Sequence, residues 1–159
     1  MATEALDQVR SVSHALYTPD WQRLPIGVAL QQLWYKSGAT QRFAGGIRIE
    51  ASNEPEPEVK SLLYRAAQEA LANIMRHSQA TRVDLTLERR EKHLTLTIED
   101  NGVGFDTARV FSGRADASDG IGLRSIREYA RGLGGELLTQ SGPRGTTLEV
   151  SVPLQDESR

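Results

Sequence analysis

The 159-residue sequence contains no cysteine. Disulfides, thiolate nucleophiles and zinc or iron–sulfur sites built on cysteine are therefore excluded. No apolar run approaches the roughly 18 residues that a membrane span needs, and residues 1–7 lack the basic-then-apolar pattern of a signal peptide. We therefore expect a cytoplasmic segment without membrane contact of its own, although a longer parent protein could still be anchored in a membrane.

The sequence also lacks an excess of positive charge, since its formal net charge is −2. Without such an excess no counterions can be displaced, so direct nucleic-acid binding is not expected. Hydrophobic residues make up 38% and charged residues 25% of the chain, as in soluble globular proteins. The length suits one domain with a short appended element.

The first region, residues 1–45, has the periodicity of helices. Apolar residues recur at spacings of three and four over 6–16, which predicts one helix that ends before Pro19. Pro25 is suited to the first turn of a second helix that ends near Gly38. We therefore expect residues 1–45 to be helical.

The second region, residues 46–154, mixes strands and helices, and a tail of 155–159 follows. Its predicted elements are a strand over 47–51, a helix over 58–78, two strands around 83–87 and 94–98 joined by a hairpin at 89–92, a helix over 123–133, and strands over 136–141 and 146–153. This order predicts an α+β fold, a two-layer sandwich with helices on one face of a mixed, mostly antiparallel sheet. Residues 100–119 form a long stretch without periodicity, and such loops are more often functional than idle.

A polar stripe lies on the long predicted helix. Glu69, Asn73, Arg76 and His77 follow one another at helical spacing beside the apolar face. A carboxylate, an amide, a guanidinium and an imidazole together could serve a metal and a phosphate. The alternative interpretation is a solvated helix flank with one or two ion pairs.

Asp100 and two Gly-x-Gly segments form the second group of candidates. Asp100 has the parity of the apolar strand residues before it, so its carboxylate should point inward and need a partner. The alternative is an aspartate that caps a turn. Gly-x-Gly occurs at 102–104 and again at 120–122, directly before a helix. Neither segment has the pattern of a Walker loop or a dinucleotide fingerprint.

Four segments in this order resemble the sequence boxes of the GHKL ATPases, the superfamily of gyrase, Hsp90, MutL and histidine kinases. They are Gln68–Ser78, Asp100–Phe105, Gly120–Leu123 and Gly145–Thr147. The resemblance covers about 60–154 and is closest to sensor histidine kinases of the nitrate-sensor and DesK-like type. It implies the Bergerat-type ATP-binding fold, with ATP and Mg²⁺ as ligands.

The resemblance also implies roles for single residues. Glu69 resembles the acid that polarises a water or the incoming nucleophile, and Asn73 the ligand of Mg²⁺. Asp100 resembles the acceptor of the adenine 6-amino group, and 106–119 the flexible lid over ATP. The other implied nucleotide contacts are Arg76, His77, Gly102, Val103, Gly104, Phe105, Gly120, Ile121, Gly122, Leu123, and Thr146 or Thr147.

One expected component of a histidine kinase is missing. In the branch that the sequence resembles, the phosphoacceptor histidine is followed directly by an acid. None of His14, His77 and His93 is followed by an acid, and His14 is better explained as a packed or solvated helix residue. The resemblance therefore implies a truncated kinase, in which 1–45 is the remnant of the dimerisation region. Its partners would be the dimerisation helix of the parent kinase, with its histidine, and the receiver domain of a response regulator.

Three other functions use the same kind of site. One is a serine kinase of the anti-sigma-factor type, which the preceding helical pair argues against. Another is a regulatory nucleotide-binding module with degenerate catalysis, which the presence of both Glu69 and Asn73 disfavours. The last is a stand-alone ATPase, for whose large transducer domain the chain has no room.

Overall fold

The computed structural model describes residues 20–51, 54–111 and 121–155, except for the side chain of Ile121. The helix expected over 6–16 lies outside these ranges, as do His14 and Gly120. Most of the expected lid and of the C-terminal tail also lie outside them.

The described elements alternate in the order expected for the second region. They are helices α1 (Asp20–Arg23), α2 (Ile26–Lys36) and α3 (Ala39–Arg42), strand β1 (Ile47–Ile49), helix α4 (Pro57–Asn73) with a π-helical turn (Ile74–Ser78), strands β2 (Val83–Arg90) and β3 (His93–Asp100), helices α5 (Thr107–Phe111) and α6 (Ile121–Gly132), and strands β4 (Glu136–Gly142) and β5 (Gly145–Pro153). None of these helices is both long and apolar enough to cross a membrane.

The five strands form one mixed sheet in the order β1-β2-β3-β5-β4. Strand β1 runs parallel to β2, and the other three pairings are antiparallel. In this register Asp100 at the end of β3 lies opposite Val83 on one side and Thr146 on the other. The predicted α+β architecture is confirmed.

Alternation along the strands places their apolar side chains on one face of the sheet. The residues expected to point inward, Val83, Leu85 and Leu87 in β2 and Leu94, Leu96 and Ile98 in β3, are all at most 2% exposed. Successive strand side chains point to opposite faces, so Glu99 and Glu149 lie on the other face. The core therefore lies between one face of the sheet and the helices.

Helix α4 supplies the opposite wall of this core. The apolar face expected from its sequence is buried as a continuous stripe, comprising Leu63, Ala66, Ala67, Ala70, Leu71 and Ile74. Each large apolar side chain buried in this way contributes roughly 1.5–3 kcal/mol to stability. The polar flank beside the stripe is thereby held at the edge of the core.

Residues 26–43 belong to the same core. Ile26, Leu30, Trp34 and Phe43 are buried in one cluster with the residues of α4 and the sheet. The domain boundary that we predicted at residue 45 therefore does not coincide with a break in packing.

A buried lysine fastens this N-terminal segment further. Lys60 Nζ pairs with Glu54 Oε1 at 3.0 Å and donates a hydrogen bond to the Gln22 carbonyl at 2.8 Å. Beside it, the rings of Trp21 and Tyr64 stack with centroids 4.2 Å apart. The short helix α1 is thus held against α4 by a hydrogen bond and an aromatic stack.

Several boundaries differ from the sequence-based expectation. The helix expected over 58–78 changes to π-helical winding at Ile74, and β1 is shorter than predicted. Pro25 precedes α2 as its N-cap instead of lying inside its first turn. Helices α1, α3 and α5 were not predicted, because four or five residues are too few to show a helical period. Part of the stretch expected to be an irregular lid is therefore helical.

Candidate nucleotide-binding site

A cavity of about 510 Å³ opens between α4, the sheet and α5. Its wall combines apolar side chains with a few polar ones, as in small-molecule sites. The lining residues are Ala70, Asn73, Ile74, Arg76, His77, Ser78, Ile98, Asp100, Gly104, Phe105, Asp106, Arg109, Val110, Leu123, Thr146 and Leu148. Eight of the residues predicted from the sequence are thus brought together here.

The end of α4 supplies the polar wall. Asn73 is the last α-helical residue, and Arg76 and His77 follow in the π-helical turn. The Arg76 guanidinium donates to Asn73 Oδ1 at 3.4 Å and to the Ala72 carbonyl at 3.3 Å. An amide oxygen and a guanidinium side by side suit a hard cation and an anionic oxygen, respectively.

Asp100 lines the cavity from the end of β3. Burial raises the pKa of its carboxyl group, and the hydrogen bond from the Gly102 amide, 2.8 Å from Oδ1, opposes that rise. Desolvation of a carboxylate is the cause, since burial disfavours the charged form. The inward orientation expected from strand parity therefore holds, and so does the turn-capping bond of the alternative interpretation.

The two glycines after Asp100 permit close backbone contacts. A side chain at Gly102 would overlap the Ser78 carbonyl, and one at Gly104 would overlap the Gly142 carbonyl. Gly104 also has φ +73°, a conformation that favours glycine. Gly102 and Val103 themselves are outside the lining, and the Val103 side chain is 54% exposed. The nucleotide contacts expected of Gly102 and Val103 stay predictions.

A hydroxyl pair supports the same loop from β4 and β5. The Phe105 amide donates to Ser141 Oγ at 2.7 Å, and Ser141 Oγ lies 2.7 Å from Thr146 Oγ1. Thr146 lines the cavity, whereas Thr147 follows it in β5 and faces the opposite side of the sheet. Of the two predicted threonines, only Thr146 is placed at the site.

Glu69 and Gly122 meet beside the cavity. A side chain at Gly122, in the first turn of α6, would overlap the Glu69 carboxylate. Glu69 lies one helical turn before Asn73 but is outside the lining. Leu123 follows Gly122 and is buried in the cavity wall. Within the predicted Gly120–Leu123 segment, the structure describes the surroundings of Gly122 and Leu123.

The sequence analysis assigned residues 106–119 to a lid over the ligand but singled out no residue of α5 or of the turn before it. Asp106 and Arg109 line the cavity, and the Arg109 amide donates to Asp106 Oδ1 at 3.3 Å. Asp106 before Thr107 matches the sequence pattern of a helix start, which could have indicated this turn. The Phe111 ring packs 4.7 Å from the Arg127 guanidinium, which fastens α5 to α6.

Comparison with known proteins places this site in a family. Residues 58–156 match the family model for "Histidine kinase-, DNA gyrase B-, and HSP90-like ATPase". The match covers well over half of the chain, and the chain belongs to this family. It therefore contains an ATP-binding domain of the kind found in histidine kinases, as its sequence boxes indicated.

Individual relatives narrow the comparison to sensor kinases. Sensor histidine kinase MctS of Rhizobium johnstonii is 33% identical over 153 residues, which cover 94% of this chain and 32% of MctS. Sensor histidine kinase YxjM of Bacillus subtilis is 30% identical over 165 residues, covering 100% of this chain and 37% of YxjM. The chain thus spans about a third of the length of these relatives.

A solved structure shares the fold. The histidine kinase domain of the Erythrobacter litoralis EL346 blue-light activated histidine kinase superposes with a TM-score of 0.66. The superposition covers 82% of this chain and 66% of that domain, at 24% identity. At this identity the likeness supports the fold alone.

Proposed function

We propose that this chain is the catalytic domain of a sensor histidine kinase, which binds Mg-ATP and donates the γ-phosphoryl group to a histidine. That histidine would lie on a dimerisation helix of the parent kinase, and a response regulator receiver domain would take the phosphoryl group next. The observation that carries the proposal is one cavity that holds both Asp100 and the Asn73, Arg76 and His77 wall. We infer a cytoplasmic site of action, where ATP is available.

The Asp100 side of the cavity suits adenine. The half-buried Asp100 carboxylate offers an acceptor to the exocyclic amino group of the base. Ile74, Leu123 and Leu148 supply apolar surface for the ring. The base would therefore be recognised by one polar contact within an apolar slot.

The Asn73 side suits the triphosphate and its cation. The described residues contain no group of three or more carboxylates or histidines that could hold a metal by themselves. That fits Mg²⁺ in a nucleotide complex, which takes one or two protein ligands and completes its shell with phosphates and water. Asn73 Oδ1 would be the protein ligand, and Arg76 would pair with a phosphate oxygen. When bound, Mg²⁺ neutralises charge on the phosphates.

In this proposal Glu69 acts on the nucleophile. It lies on α4 one turn before Asn73 and against the start of α6. In the proposed transfer a bond forms between the acceptor imidazole nitrogen and the γ-phosphorus, and the bond to the bridging oxygen of ADP breaks. Glu69 would orient the imidazole by accepting its N–H, which is a positioning contribution typical of phosphoryl transfer.

Calorimetric titration with a non-hydrolysable ATP analogue, with and without Mg²⁺, tests the nucleotide site. We expect wild-type binding that Mg²⁺ strengthens, and loss of that strengthening in Asn73→Ala. A dimerisation helix with its histidine, taken from a relative, is then added with ATP to test the transfer. Acid-labile phosphate on that helix supports the kinase, and binding without any transfer favours the degenerate module.

A further inference from the structure

The π-helical turn at Ile74–Ser78 joins the two sides of the cavity. It begins directly after Asn73 and ends at Gln79, whose φ is 55°. π-Helical turns are rare and occur frequently at functional sites. Arg42 of α3 also donates a hydrogen bond to the Met75 carbonyl at 3.0 Å. The turn is therefore fixed from outside as well as by its own bonds.

The Ser78 hydroxyl closes this turn. Its Oγ donates to the Ile74 carbonyl at 2.7 Å and accepts the Ala80 amide at 3.1 Å. One side chain thus satisfies a carbonyl at the start of the turn and an amide beyond its end. Removing the hydroxyl would leave the winding of Ile74–Ser78 free to change, and with it the positions of Arg76 and His77.

The Ser78 carbonyl fixes the loop on the other side. It accepts the Val103 amide at 2.8 Å, and Gly102 packs so closely on it that no side chain fits there. Gly102 is also the residue whose amide binds Asp100 Oδ1. Three hydrogen bonds, linked by the backbone of Ser78 and of Gly102–Val103, thus connect the turn after Asn73 to the carboxylate of Asp100.

We propose that Ser78 is a positioning residue that couples the cation and phosphate side of the cavity to the base side. The inference rests on the proposed function, because it needs Mg-ATP as the ligand. Its consequence is that Mg²⁺ at the Asn73 side strengthens nucleotide binding partly through the arrangement that Ser78 holds. The measurable quantity is the ratio of nucleotide affinities with and without Mg²⁺, since coupling between two ligands is defined by that ratio.

The test compares Ser78→Ala and Ser78→Thr with a matched control, Ser37→Ala. Ser37 makes the same kind of bonds at the end of α2, from Oγ to the Trp34 carbonyl at 2.6 Å and from the Ala39 amide at 3.3 Å. It is outside the cavity lining. Ser78→Ala and Ser37→Ala therefore both lose a hydroxyl that caps a helix end, whereas Ser78→Ala alone should lose the coupling.

We expect Ser78→Ala to reduce the Mg²⁺-dependent affinity ratio for the ATP analogue by about three- to tenfold, the loss of one hydrogen bond. Ser78→Thr, which keeps the hydroxyl, should restore most of the ratio, and Ser37→Ala should leave it unchanged. A wild-type ratio in Ser78→Ala overturns the inference. Absence of binding or of Mg²⁺ dependence in the wild type contradicts the proposed function instead.

A second measurement needs no variant and covers the case in which Ser78→Ala fails to fold. Hydrogen exchange of the Val103 amide, which donates to Ser78, is followed in the wild-type complex with the ATP analogue. We expect slower exchange when Mg²⁺ is present than with the analogue alone. Equal exchange rates would overturn the coupling.

Discussion

Replacing Asp100 with asparagine is expected to lower the affinity for nucleotide at the proposed base site and to raise the free energy of unfolding. Asparagine has nearly the shape of aspartate. Its side-chain oxygen can still accept a hydrogen bond from the Gly102 amide, which in the wild type lies 2.8 Å from Asp100 Oδ1. That orientation turns the new NH₂ group toward the cavity, where the adenine amino group would also be a donor. Two donors would then face each other in place of a donor and a carboxylate.

The expected loss follows from the charged hydrogen bond. Hydrogen bonds to charged groups contribute about 1.5–3 kcal/mol net, and each 1.4 kcal/mol changes affinity about tenfold. We therefore expect Asp100→Asn to bind the ATP analogue about 10- to 100-fold more weakly than the wild type. The lost hydrogen bond is at the base side of the cavity, so the residual binding should still be strengthened by Mg²⁺.

The free energy of unfolding of the nucleotide-free protein should increase in Asp100→Asn, although its affinity for nucleotide falls. Burial raises the pKa of Asp100 above its ordinary value of 3.8, so the folded state holds this proton more tightly than the unfolded state. The free energy of unfolding of the wild type therefore falls as pH rises from that value through the raised pKa. Asparagine does not titrate, so Asp100→Asn should gain stability relative to the wild type across this window.

Calorimetry measures the affinity, and denaturant unfolding at mildly acidic and neutral pH measures the stability. Glu99→Gln is the matched control, since it makes the same change of charge on the neighbouring, exposed strand position. It should leave affinity unaffected. Wild-type affinity in Asp100→Asn would refute the contact of Asp100 with the base, and a stability difference that does not depend on pH would refute the desolvation of its carboxylate.

Three further substitutions have definite outcomes. Gly104→Ala should lower the free energy of unfolding by about 2 kcal/mol or more, because alanine is strained at φ +73° and overlaps the Gly142 carbonyl; chemical denaturation measures it. Gly122→Ala should displace the Glu69 carboxylate. It should therefore reduce phosphoryl transfer to the added dimerisation helix much more than it reduces affinity for the ATP analogue. Lys60→Met should cost roughly 1–3 kcal/mol in denaturant unfolding, because a carboxylate and a carbonyl lose their shared donor.

The same measurements include their controls. Gly132→Ala, at the other end of the helix that begins at Ile121, places a side chain where nothing lies within 4 Å. It should leave both transfer and stability close to wild type. Equal losses in Gly122→Ala and Gly132→Ala would show that the contact with Glu69 is irrelevant to transfer. Arg48→Ala removes an exposed cation, and a loss equal to that of Lys60→Met would contradict the burial argument.

Local patterns in the sequence were sufficient for the main elements and for most of the site. Strict alternation fixed the inward face of β2 and β3, and therefore the direction of Asp100. Helical spacing predicted Asn73, Arg76 and His77 on one flank of a single helix, and they line one cavity although Arg76 and His77 lie in the π-helical turn. These inferences hold because the side-chain direction in a regular element depends only on its own periodicity.

Contacts between distant segments could not be read in this way. That Thr146 lies opposite Asp100 depends on the register of β5 against β3, which no local period specifies. Helix α5 is a single turn, and its position depends on packing of Phe111 against Arg127. The sequence also divided the chain at residue 45, whereas Phe43 is buried with α4 and the sheet.

The sequence by itself determined the class of fold, the ATPase boxes and the identity of the polar groups, because those depend on local periodicity and residue type. Only the tertiary structure decided how the two sides of the cavity are joined. The change to π-helical winding after Asn73 has no sequence period, and the bond from Val103 to Ser78 spans 25 residues of chain. Such contacts form only when the helix and the sheet bury their apolar faces against each other, and that is a property of the whole fold.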